Sequence, residues 1–159
     1  MNKKKGVIFF AAGFLISQSL VFAVASDWTG GQQAAPSTAA SPWSEGWYAG
    51  AEGYAKAVEE YEKTDKPMLV YFTVAWCPYC RRLEKGVLSS PRVREFLKNM
   101  IKVNINPEAS QKENGLAFQY GVWGFPSLYL HMPQTKKTLR LYSAETPDEF
   151  IEQFPETVK

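Results

Sequence analysis

Cysteine and histidine are scarce in this chain of 159 residues, which has two cysteines, Cys77 and Cys80, and a single histidine, His131. A structural zinc site usually takes four cysteine or histidine ligands, so these three residues cannot complete one. Copper handling by the two cysteines would need a further nearby His or Met ligand, which the sequence does not supply. We therefore predict no metal site, and we assign His131 to a strand without a catalytic role.

An excess of charge is also missing, because 18 basic and 16 acidic side chains give a net charge of only +2. Lys3-Lys4-Lys5, the apolar residues that follow and Ala23-Val24-Ala25 together match a secretory signal over residues 1–25. Cleavage there removes three positive charges and changes the net charge to −1, so no nucleic-acid partner is expected.

Because residues 1–25 match a secretory signal, we predict a periplasmic or secreted protein. The alternative is an uncleaved membrane anchor facing the periplasm, since residues 7–25 approach spanning length.

The rest of the chain divides into a linker and one domain. Residues 26–42 are small, polar and rich in Pro and Gly, a composition typical of a flexible linker. Residues 43–159 are long enough for a single packed core. Apolar periodicity in this domain predicts helices over residues 45–63, 77–87, 108–120 and 148–154, a further helix after Ser90, and strands over residues 68–74, 101–105, 127–131 and 138–142. This order predicts an α/β fold with a mixed central sheet of about four strands flanked by helices.

The two cysteines stand three residues apart in Trp76-Cys77-Pro78-Tyr79-Cys80, directly after the apolar run of residues 68–74. A disulfide that closes so short a loop removes only about 2 kcal/mol of chain entropy from the denatured state, so the pair suits reaction better than stabilisation. At a strand-to-helix junction, free backbone N–H groups and the helix dipole favour a thiolate. We therefore predict that Cys77 attacks. Cys80, one turn further on, is expected to be more buried and to resolve the mixed disulfide.

A second motif, Gly124-Phe125-Pro126-Ser127, precedes the predicted strand over residues 127–131. The two motifs resemble the active-site motif and the cis-proline loop of the thioredoxin superfamily, and the resemblance spans about residues 45–154. The chain is most similar there to exported thioredoxin-like proteins and to the C-terminal domain of the transmembrane disulfide reductant transporter. The resemblance implies a protein thiol–disulfide oxidoreductase that needs no organic cofactor.

The resemblance also implies roles for individual residues. Pro126 is expected in the cis form facing Cys77, with the backbone of Phe125 pairing with an extended segment of the substrate. Exposed apolar surface around the reactive sulfur suits a partly folded protein. The residues expected to bind substrate are Trp76, Pro78, Tyr79, Trp123 and Phe125. For Trp123 and Phe125 the alternative is burial in the core.

One position departs from the family pattern. Thioredoxins carry a buried acidic residue six positions before the first cysteine, and here that position is Tyr71, whose hydroxyl titrates too high to act as a base. Glu84, four residues after Cys80, is the available carboxylate and is predicted to take over proton transfer. The alternative is a solvated Glu84 paired with Arg81 or Lys85. The basic side chains after the motif are expected to form a solvated face and no docking site: Arg81, Arg82 and Lys85.

Two functions remain open from the sequence. The first is an exported oxidoreductase that acts as a reductase on cysteine-containing exported proteins. It would work as a monomer with a redox partner at the membrane. The second is a non-catalytic binding or chaperone module that uses the aromatic cleft around the dithiol.

Overall fold

The computed structural model describes residues 42–159. The predicted signal segment, residues 1–25, and all but the last residue of the predicted linker, residues 26–42, lie outside these residues. The strands are β1 (Tyr48–Ala49), β2 (Met68–Phe72), β3 (Ile101–Ile105), β4 (Ser127–Met132) and β5 (Lys137–Leu141). The helices are α1 (Gly50–Lys63), α2 (Pro78–Arg82), α3 (Pro91–Phe96), α4 (Gln111–Gln119) and α5 (Pro147–Glu152). Within residues 42–159, none of the helices is both long and apolar enough to cross a bilayer.

The sheet is mixed, as predicted, and has the strand order β1-β3-β2-β4-β5. β3 is parallel to β1 and β2, whereas β4 is antiparallel to β2 and β5. The structure adds β1, which lies inside the segment 45–63 that the apolar pattern predicts as helix. Because β1 precedes it, α1 begins at Gly50, five residues later than predicted. Gly50 has φ +68°, a left-handed conformation that favours glycine.

The central strand β2 is buried along its whole length, which explains its uninterrupted apolar sequence. On one face of the sheet, Leu69 and Tyr71 belong to a core cluster with residues from α3, α5 and the π-helical segment Leu83–Leu88 that continues α2. On the other face, Val70 and its neighbours pack with residues from α1 and α4. Helices therefore cover both faces, as predicted, and the end of β2 is held rigidly in the middle of the sheet.

A chain of polar side chains runs over the face that α1 and α4 cover. The hydroxyl groups of Tyr54 and Tyr120 lie 2.9 Å apart, and the Tyr120 hydroxyl lies 2.7 Å from Nε2 of His131. Nδ1 of His131 lies 3.0 Å from Oγ1 of Thr138. A neutral His131 satisfies both contacts, accepting from Tyr120 and donating to Thr138. Burial lowers the pKa of His131 and raises that of Tyr120, so both groups are held uncharged near neutral pH.

The lowered pKa of His131 makes stability depend on pH. Below the ordinary histidine pKa of about 6.5, the unfolded chain binds a proton that the folded chain refuses, so the free energy of unfolding falls as pH decreases from about 7 toward the lowered pKa. We expect urea denaturation of the disulfide form to show this decrease between about pH 7.5 and about pH 5.5. His131→Gln carries no group that titrates in this interval and should flatten it. An equal decrease in the variant would contradict the assignment to His131.

Candidate active site

The sulfur of Cys77 caps the start of α2. Its Sγ accepts the backbone N–H of Cys80 at 3.1 Å, and the Cys77 N–H donates to the carbonyl of Val74 at 3.2 Å. Pro78 occupies the first helical position, where its missing N–H leaves no hydrogen bond unmade. The polypeptide between β2 and α2 thus places a sulfur atom where backbone N–H groups and the helix dipole favour negative charge.

Cys77 and Cys80 form a disulfide. The residues are 2% and 0% exposed, a difference too small to distinguish an attacking from a resolving thiol. Their hydrogen bonds differ more clearly, because the sulfur at the helix start is the one that accepts a backbone N–H. Geometry at the helix terminus therefore separates the two cysteines better than burial does.

The loop before β4 lies against this disulfide. The Phe125–Pro126 peptide bond is cis, and the carbonyl oxygen of Phe125 lies 3.5 Å from Sγ of Cys77. The half-buried ring of Phe125 packs on the cluster of Val74, Cys77 and Cys80. The hydroxyl of Ser127 donates to the carbonyl of Gly124 at 2.8 Å and closes the loop. The two motifs, which are distant in sequence, therefore meet at one site.

Aromatic side chains belong to both motifs of the site. Trp76 and Tyr79 are 62% and 61% exposed, and the Trp76 ring meets that of Phe125 edge-on with the centroids 6.3 Å apart. Trp123 is 92% exposed, so its assignment to the core, the alternative from the sequence, is wrong. It makes no ring contact with any residue of the described domain. Phe125 is intermediate, with one part on the core and another toward solvent.

Glu108 is a site residue that the sequence analysis missed. Its Oε1 accepts the indole N–H of Trp76 at 2.9 Å, and its own N–H donates to the side chain of Asn106 at 3.0 Å. Trp76 follows β2 and Glu108 follows β3, and these strands are parallel with Phe72 opposite Ile105. Segments that follow adjacent parallel strands emerge at the same edge of the sheet. The position of Glu108 just after a strand parallel to β2 could therefore have indicated that it lies near Trp76.

Glu84 faces the sheet and not the basic residues near it in sequence. Its Oε1 accepts the hydroxyl groups of Tyr71 and Thr73, each at 3.0 Å. Within residues 42–159 it forms no ion pair with Arg81 or Lys85, so the alternative of a solvated ion pair is wrong. Burial, together with the carboxylate of Glu84, raises the pKa of Tyr71. Tyr71 therefore remains a neutral donor that orients the carboxylate.

Comparison with known proteins is consistent with this geometry. A family model described as thioredoxin-like matches residues 47–133. The chain is 32% identical over 100 residues to the disulfide bond reductase DsbH of Chlamydia pneumoniae, and the match covers 57% of this chain and 60% of that protein. The chain thus spans less than two thirds of the length of that relative.

Solved structures show the same fold. A structure of a DsbH oxidoreductase aligns with TM-score 0.53 and 27% identity, covering 62% of this chain and 72% of the other. The oxidised C-terminal domain of DsbD from Neisseria meningitidis aligns with TM-score 0.55 and 21% identity, covering 67% of this chain and 94% of that domain. The second likeness concerns the fold alone.

We expect Glu108 to fix the orientation of the Trp76 indole. In Glu108→Ala the indole N–H loses its acceptor, so its ¹H–¹⁵N resonance should move toward the position of a solvent-exposed tryptophan. Because the pair is exposed, the free energy of unfolding should change by less than about 1 kcal/mol. Glu95→Ala, which removes another exposed carboxylate, serves as the control. An unshifted Trp76 resonance in Glu108→Ala would show that the hydrogen bond does not hold the ring.

Proposed function

The chain belongs to the thioredoxin-like family, and on that premise we propose that it is an exported protein thiol–disulfide oxidoreductase that acts as a reductase. The observation that supports this most directly is the placement of the Cys77 sulfur. It accepts a backbone N–H at the start of α2 and faces the Phe125 carbonyl, beside exposed aromatic surface. That arrangement favours a thiolate, and the Phe125 backbone and the exposed aromatic surface offer contacts to an extended segment of a protein.

In the proposed reaction the dithiol form acts first. The Cys77 thiolate attacks one sulfur of a partner's disulfide, forms a mixed disulfide and releases the other partner sulfur as a thiolate, which takes up a proton. Cys80 then loses its proton and attacks the sulfur of Cys77. The second partner thiol leaves, and the Cys77–Cys80 disulfide of the structure remains. The partner gains two electrons and two protons, and a dithiol donor must later return them to the chain.

Glu84 is the proposed acceptor of the Cys80 proton. Its carboxylate lies on the same helical stretch four residues after Cys80, and two hydroxyl donors hold it in place. A hydroxyl-bonded carboxylate keeps acceptor capacity on its second oxygen, which is available for a proton delivered directly or through one water.

The direction of electron flow and the partners are proposed from similarity. The relative that is 32% identical is a disulfide bond reductase. We propose cysteine-containing exported proteins as substrates and a membrane-associated donor as the source of electrons. The residues proposed to contact substrate are Trp76, Pro78, Tyr79, Trp123 and Phe125, with Pro126 shaping the loop beside Cys77.

A reducing role predicts a low reduction potential for the Cys77–Cys80 pair. In the purified full chain, equilibrated with dithiothreitol and glutathione buffers and assayed by thiol trapping, we expect a value near or below about −230 mV. A value above about −180 mV would overturn the reductase assignment and favour an oxidase or isomerase.

A variant without the two cysteines separates this function from that of a non-catalytic binding module. The exposed aromatic surface would also suit such a module. A chain carrying Cys77→Ser and Cys80→Ser should lose all reduction of protein disulfides. Retention of the cellular phenotype by this variant would favour the binding module.

Glu84→Gln should slow the second step selectively. The amide keeps the shape of the carboxylate but accepts no proton, so resolution by Cys80 should slow by about tenfold or more, while attack by Cys77 changes little. Acid-quenched time courses at neutral pH should then show the mixed disulfide accumulating. Raising the pH should speed resolution in the variant, because hydroxide then takes the Cys80 proton in place of Glu84. Equal rates of both steps in wild type and variant would remove Glu84 from the mechanism.

A further inference from the structure

A groove of about 360 Å³ opens beside α2, against the loop that follows β5. Tyr79, which stands between the two cysteines in sequence, forms part of its wall, so the groove begins at the active site. Buried apolar side chains meet exposed polar ones in its lining, which consists of Tyr79, Arg82, Leu83, Ser143, Ala144 and Glu145. A side chain with an apolar stem and a polar end fits such a lining.

Arg82 is the cation that lines this groove. Its guanidinium carbon lies 4.5 Å from the centre of the exposed Tyr79 ring, a cation–π distance. Six ion pairs are formed among residues 42–159, and Arg82 is in none of them. The face of the guanidinium lies on the Tyr79 ring, so the N–H groups along its edge remain able to donate. Two of them can donate parallel hydrogen bonds to one carboxylate.

The neighbouring charges favour an anionic occupant. Arg81 and Lys85 lie within one helical turn of Arg82, are exposed and are likewise in no ion pair of the described domain. Arg81 donates to the carbonyl of Ala75 at 2.7 Å and keeps its charge beside the motif. Arg82 and Glu145 are the charged residues of the lining itself. Against the three cations stand two carboxylates, that of Glu145 and that of Glu149, which accepts the N–H of Glu145 at 3.0 Å. The carboxylate of Glu84 is turned toward the sheet.

On the basis of the proposed function, we propose that this groove receives an acidic segment of the partner protein, with an Asp or Glu carboxylate near the cysteine under exchange bound by Arg82. Arg82, expected from the sequence to lie on a solvated face, thus belongs to a docking surface and determines specificity. The surrounding positive potential raises the rate of encounter with such a segment and fixes its orientation across the disulfide.

The test uses the reduced full chain and three peptides with a mixed disulfide, which differ in carrying Glu, Gln or Lys two residues from the cysteine. We expect the second-order rate of thiol–disulfide exchange to be about three- to tenfold higher for the Glu peptide than for the Gln peptide, and lowest for the Lys peptide. The preference should vanish at about 1 M ionic strength, where the Debye length falls to about 3 Å.

Variants locate the effect. Arg82→Gln should abolish most of the preference, whereas Glu145→Gln, which removes the opposing charge from the same groove, should increase it. Lys56→Gln removes one exposed cation from α1, on the other face of the sheet, and should leave the preference unchanged. A preference equal in wild type and Arg82→Gln, or faster exchange with the Lys peptide, would overturn the assignment.

A small uncharged disulfide, bis(2-hydroxyethyl) disulfide, keeps this inference separable from the proposed function. Reduction of that probe at similar rates by wild type and Arg82→Gln, together with the peptide preference, supports both. Reduction of the probe without any peptide preference overturns the docking surface alone. A wild-type chain that reduces neither the probe nor any peptide overturns the proposed function itself.

Discussion

The burial of β2 at the centre of the sheet is the constraint on which the site depends. Every residue of this strand is buried, and it is hydrogen-bonded to β3 on one side and to β4 on the other. The antiparallel register sets Phe72, the last residue of β2, opposite Ser127, the first residue of β4. The segment leaving β2 and the loop entering β4 must therefore meet, which brings Cys77 to Phe125 although 48 residues separate them.

β3, the parallel neighbour of β2, contributes a further residue at the same edge of the sheet. The segment after β3 brings Glu108 to Trp76, so a carboxylate holds the indole on one side of the motif. On the helical side the Arg82 guanidinium lies over the Tyr79 ring. The two exposed aromatic residues of the motif are thus held by side chains of opposite charge.

Much of this was predictable from local sequence, and the rest depended on contacts between distant residues. The apolar run before Trp76 and the spacing of the cysteines predicted a buried strand followed by a helix, and the alternation over residues 101–105 predicted β3 with its correct bounds. β1 was missed because two residues are too few to show an alternation. Glu108 and Thr73 join the site through pairing across strands and through side-chain geometry, which no local pattern records.

The hydroxyl of Tyr71 has one more consequence. Where thioredoxins place a titratable acid, this chain places a group that keeps its proton at neutral pH, because burial and the nearby carboxylate raise its pKa. The hydrogen bond between Tyr71 and Glu84 therefore has a fixed direction, with the phenol as donor and the carboxylate oxygen as acceptor. This part of the site holds one carboxylate next to neutral hydroxyl donors, and not two acids that would compete for the same proton.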